Sequence, residues 1–176
     1  MANGIIEKTN MAATDVASYN RTVVSASAVE NGSVLSLGAL SSTAGEDEVF
    51  VGVAPTTGDL SNLWIAATPE VVVTAGKYKG LDPDPRNFTN AIGDMIAMAK
   101  PQMGDMIKLN ADAVAGTIST NTFVVATNTA QKLTWAAAAV TGLSLKLRKT
   151  TSMSIGTGAI GSHKIVAYLF EVVAVA

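Results

Sequence analysis

The chain has no cysteine and a single histidine, His163. Disulfides and thiolate chemistry are therefore excluded, and cysteine usage says nothing of the compartment. One histidine without cysteine gives no zinc set. Charge is scarce as well. Only 15% of residues are Asp, Glu, Lys or Arg, against the usual quarter. The net charge of −2 offers no basic field, so a nucleic-acid partner is not expected. Long apolar runs are missing too. The longest, Ile165 to Ala176, is broken by Glu171 and is too short to cross a bilayer, so no membrane partner is expected. The opening MANGIIEKTN lacks a charged head followed by an apolar core, and no secretory signal is expected.

What is present is apolar. Hydrophobic residues make up 48% of the 176 and the mean hydropathy is +0.34. Much of the excess is Ala and Val. The length suits one domain with a real core. So much apolar sequence with so little charge implies surface covered by other subunits. An alanine-rich but ordinary core is equally compatible with the composition.

The order of residues reads as β. Residues 1–20 hold no sustained period and are expected to form an irregular arm, with one β domain over 21–176. Glu30–Asn31–Gly32 is a turn signal before Val34 to Leu37. Glu48 to Val53 alternates, with Val49, Val51 and Val53 on one side and Phe50 on the other. Leu63 to Ala67 and Val71 to Thr74 are strand candidates around Pro69. Pro83 and Pro85 exclude a helix through the long central loop, Lys77 to Asn87. Asn87 to Ile92 could make one helical turn, with Phe88 and Ile92 four apart. The tetrapeptide Gly-Asp-Met-Ile occurs twice, at Gly93–Ile96 and Gly104–Ile107, and reads as two turn-to-strand junctions. Met95 to Lys100 and Asp105 to Asn110 are expected to pair through a turn at Pro101–Gly104. Phe123 to Ala126, Gln131 to Trp135 and the alternating Leu143–Leu147 add strands. The apolar Lys164 to Val173 is expected to be covered on both faces. The sum is an all-β fold, a small β-barrel or β-sandwich of about eight to ten short strands.

Catalytic chemistry finds no assembled groups. Ser162 and His163 are neighbours in sequence, and neighbours in a strand point to opposite faces. His163 is expected to be structural. Asp82 and Asp84 have the start of a calcium-loop spacing, but Arg86 stands where a further ligand belongs. Their expected task is to satisfy turn amides. Gly156 and Gly158 open no helix, so they form no phosphate loop. No catalytic residue, metal or cofactor is expected, and the chain is not read as an enzyme.

The runs Glu48–Pro55, Leu63–Val72, Asp84–Asn90 and Gly104–Asp105 resemble a family of head decoration (cement) proteins of tailed bacteriophages. A looser echo lies in Ala167–Val172. The resemblance implies a virion protein that docks on the outer surface of the capsid and stabilises the expanded head. It implies the major capsid protein lattice as partner, and self-association as a small homo-oligomer such as a trimer. Candidate contacts with the shell or other subunits are Tyr78, Asp82, Asp84, Arg86 and Phe88. These place an aromatic anchor, an arginine and carboxylates on one loop, the residue types contact surfaces favour. The other reading has Phe88 in the core and the charged residues satisfying the loop. Trp64 and Trp135 sit inside strand patterns and are expected in the core. Alternative functions are a tail-tube or baseplate component, or a carbohydrate-binding β-sandwich.

Overall fold

A computed structural model describes residues 2–43, 45–69, 84–155 and 163–175. Among them lie twelve strands in two sheets. They are β1 (Ile6–Asn10), β2 (Asn20–Ser25), β3 (Val34–Leu40), β4 (Val49–Val53), β5 (Leu63–Ala66), β6 (Met95–Ala99), β7 (Met106–Asn110), β8 (Val114–Ala115), β9 (Phe123–Val125), β10 (Leu133–Ala136), β11 (Ser144–Ile155) and β12 (His163–Ala174). The remainder is loop and short 3-10 turns, so the all-β expectation holds. Five strands close a barrel in the order β2-β4-β3-β5-β6. The other seven form a sheet in the order β1-β7-β12-β11-β9-β10-β8.

Strand β5 joins the two parts. All four of its residues are buried, because alternate side chains face different apolar regions. Trp64 and Ala66 pack inside the barrel with Val23, Leu35, Ile96 and Met98. Leu63 and Ile65 face outward into the larger core, against Ile107, Leu109, Leu145 and Phe170 of the sheet. Trp135 belongs to this larger core, where its ring meets Tyr168 edge-on at 5.3 Å. Both tryptophans are thus buried, as their strand patterns imply.

The repeated Gly-Asp-Met-Ile has one geometry in both places. Gly93 and Gly104 take φ of +82° and +88°, a region that favours glycine. The aspartate that follows accepts a hydrogen bond from the amide three residues back. Asp94 takes the Ala91 amide at 2.7 Å and Asp105 the Gln102 amide at 2.8 Å. Met95 and Met106 then start β6 and β7, and Ile96 and Ile107 are fully buried.

Four expectations need correction. Residues 1–20 are not an irregular arm. Strand β1 pairs antiparallel with β7, from Ile6 opposite Leu109 to Asn10 opposite Met106. Ile5, Ile6, Met11 and Ala13 are buried. Sequence hid this because Glu7, Lys8 and Thr9 occupy an open sheet edge, where polar residues belong. Strands β6 and β7 do not pair with each other. The first lies between β2 and β5 in the barrel, the second between β1 and β12 in the sheet. Pro101–Gly104 carries the chain from one sheet to the other. The single helical turn is a 3-10 turn at Pro85–Asn87, earlier than expected. Strand β12 is covered only in part, since His163, Lys164 and Val166 are exposed. The strand expected at Val71–Thr74 lies outside the described residues.

Candidate functional site

Of the five contact residues expected from sequence, Asp84, Arg86 and Phe88 lie at one corner of the chain, in or next to a 3-10 turn. Tyr78 and Asp82 lie outside the described residues. Asp84 is the N-cap of the 3-10 turn, and its carboxylate accepts the Arg86 amide at 3.0 Å. A short polar side chain there satisfies an amide that the turn leaves without a partner. The Arg86 side chain closes on the same carboxylate as a fork. Its Nε donates at 3.0 and 3.1 Å and its Nη2 at 2.7 Å. These bonds hold the Asp84 carboxyl below its usual range, against the opposing effect of burial, and a smaller contribution comes from nearby His163. The same bonds raise Arg86. Asp84 and Arg86 are therefore engaged with each other.

The corner is clamped from both sides. Asn3 donates its amide to the Arg86 carbonyl and its side-chain amide to the Phe88 carbonyl, both at 2.9 Å. The Gly4 amide donates to Glu30 at 2.7 Å, and Glu30 pairs with Lys132 at 2.8 Å. Residue 4 has to be glycine, since a Cβ there would stand 2.3 Å from the Asn31 carbonyl oxygen. On the far side Val29 and Asn90 exchange backbone bonds at 3.0 Å. Phe88 is half-buried beside this clamp. The corner thus carries one half-buried aromatic and one paired arginine, tied by hydrogen bonds to Asn3.

Sequence reasoning missed a second feature, the outer wall of the barrel. A Cβ at Gly52 would touch Leu35 and Val23, so position 52 points into the barrel. Val51 and Val53 therefore point out, and they are 38% and 46% exposed. Val24 has Val51 as partner on one side and Met95 on the other, which puts three apolar side chains in a row across β4, β2 and β6. Met95 is 57% exposed and Ile92, in the turn before it, 70%. The Gly93 amide bonds the Ser25 carbonyl and so holds that turn beside the end of β2. Strands β2 and β4 are the two that do not neighbour β5 in the barrel. The wall thus faces away from the large sheet. A cleft of about 760 Å³ opens beside it, lined among others by Arg21, Leu40, Glu48, Phe50 and Met95. The alternation of Val49, Val51 and Val53 was the available signal. What it could not give was which side of the strand meets solvent.

Among the described residues no group of three or more His, Asp or Glu is placed to hold a metal ion. The chain matches no family model, no curated protein and no solved structure.

Proposed function

We propose that the chain is a structural virion protein that docks on the outer surface of a bacteriophage capsid and stabilises the expanded head. The observation that carries this reading is the apolar wall of the barrel. Val51, Val53, Met95 and Ile92 stand together in solvent on the side away from the sheet. Contiguous apolar surface of this kind marks protein contact. The segments that resemble decoration proteins support the reading by where they fall. Glu48–Pro55 contains β4, the described part of Leu63–Val72 contains β5, and Asp84–Asn90 is the clamped corner. These three belong to the barrel and its rim, whereas Gly104–Asp105 leads into β7 and Ala167–Val172 lies in β12 of the sheet. The wall and the corner with Asp84, Arg86 and Phe88 are the proposed contacts with the major capsid protein lattice; Tyr78 and Asp82, also proposed from sequence, lie outside the described residues.

Expanded shells that lack the protein test this. Incubated with the pure chain and imaged by electron microscopy, they are expected to gain regular density on their outer surface, while unassembled capsid subunits bind nothing. Bare shells at saturating protein would overturn the proposal. Filaments or stacked rings of the pure protein would instead favour a tail-tube component.

A further inference from the structure

The barrel wall holds one side chain that mild chemistry can change. Valine and isoleucine are inert to peroxides, whereas the thioether of methionine takes up an oxygen atom. Among the exposed wall residues Val51, Val53, Ile92 and Met95, only Met95 carries sulfur. It opens β6, level with Val24 of β2, which in turn lies level with Val51 of β4. Its side chain is 57% exposed and borders the cleft beside the wall. Alternation along β6 separates it from Met98, three residues on. Met98 points into the barrel, packs with Leu35 and Trp64, and is 1% exposed.

The other methionines supply the contrast. Met11 is buried in the large core and Met153 against Ile5. Met106 holds the same place in the second Gly-Asp-Met-Ile copy, but it lies half-buried on β7 between Asn10 and Glu171. Met103 is as open as Met95, at 62%. It sits in the turn past the far end of β6, away from the wall. Among the described residues two methionines are therefore open to solvent, and one of them is part of the wall.

We propose that Met95 is a modification site at which a peroxide controls docking of the wall. The sulfur lone pair attacks one peroxide oxygen, an S–O bond forms as the O–O bond breaks, and the other oxygen leaves as water. Sulfur supplies the electron pair that reduces the peroxide. The product, methionine sulfoxide, is polar and chiral where the thioether was flexible and apolar. Water satisfies the new S–O acceptor on the free protein, so the fold is kept. Against an apolar partner the same acceptor loses its water and gains no donor, which weakens the contact. A methionine sulfoxide reductase restores the thioether, so the change is reversible. This rests on the reading that the wall meets the shell, and it adds what regulates that contact.

Two measurements test it, the first without any shell. After graded hydrogen peroxide, peptide mapping by mass spectrometry is expected to find oxygen on Met95 and Met103 while Met11, Met98 and Met153 stay unmodified. The thermal melt should not change. The second measurement is binding to expanded shells that lack the protein. Oxidised wild type should bind about tenfold more weakly than untreated wild type, the effect of burying one unsatisfied polar group. Oxidised Met95→Leu should bind as untreated wild type does, and oxidised Met103→Leu should weaken as much as oxidised wild type. Reductase treatment should restore binding. Met95→Gln, which places a polar group there without any peroxide, should show a similar loss. Buried methionines that oxidise as fast as Met95, oxidised wild type that binds as tightly as untreated, or oxidised Met95→Leu that weakens equally would each overturn the proposal and leave capsid docking standing. Untreated protein that leaves the shells bare overturns the docking reading, and control by Met95 falls with it.

Discussion

Asp84 and Arg86 show how a pair that reads as a contact site can be occupied with its own turn. Because the Arg86 bonds depress the folded Asp84 carboxyl, its stabilising contribution is complete above the ordinary carboxylate range. It is lost as pH falls through the lower folded-state value. Arg86 is raised, so its share is complete at neutral pH and lost only in strong alkali. The pair is about a third exposed, which limits it to about 1 kcal/mol or less. Asp84→Asn keeps a capping oxygen and loses the charge. Its melting temperature should lie slightly below wild type at neutral pH and converge with it in acid, as calorimetry across pH would show. Gly4→Ala belongs to the same scale. The added methyl meets a backbone oxygen, and denaturant unfolding should show a loss of about 1–3 kcal/mol, the usual range for overpacking. The turn chemistry of Asp84 was legible from Asp-Pro-Arg alone. The clamp by Asn3 was not, because it joins residues more than eighty positions apart.

At the scale of elements, strand identity was easier to read than strand partnership. Alternation locates β4, β7 and β11, and the two Gly-Asp-Met-Ile copies mark the starts of β6 and β7. Which sheet each strand joins depends on long-range packing that no local pattern encodes. Strands β6 and β7 follow one another through a short turn, yet they belong to different sheets. The same limit hid β1, whose exposed residues look like those of a frayed terminus. The structure makes its removal costly. Deleting residues 1–10 strips Ile5 and Ile6 from the core and opens the edge of β7. Hydrogen exchange should show faster exchange at β7 amides, and the melting temperature should drop by several degrees. An irregular arm would come away with little change in either. Trp64 is the matching probe inside the barrel, where it packs with Leu35 and Met98. Trp64→Ala should cost about 3–5 kcal/mol by denaturant unfolding, the range for removing a large buried aromatic.

For the whole molecule, the composition left open whether its apolar excess is core or surface. The structure buries much of it in two cores and leaves Val51, Val53, Met95 and Ile92 exposed on the wall formed by β2, β4 and β6. Sequence could state the excess and not the place, because β4 carries apolar residues on both faces and only closure of the barrel decides which face is out. On the proposed reading the wall and the clamped corner at Asp84–Phe88 are the surfaces that the barrel offers to the shell. A protein that binds only the assembled shell stabilises it by mass action, and many weak contacts on a repeating surface reinforce one another. The most direct measurement is therefore the disassembly temperature of expanded shells that lack this chain, titrated with pure protein. Docking predicts a temperature that climbs with bound protein and levels off when the lattice is full. A temperature that stays flat, with the protein absent from the shell fraction, would contradict it.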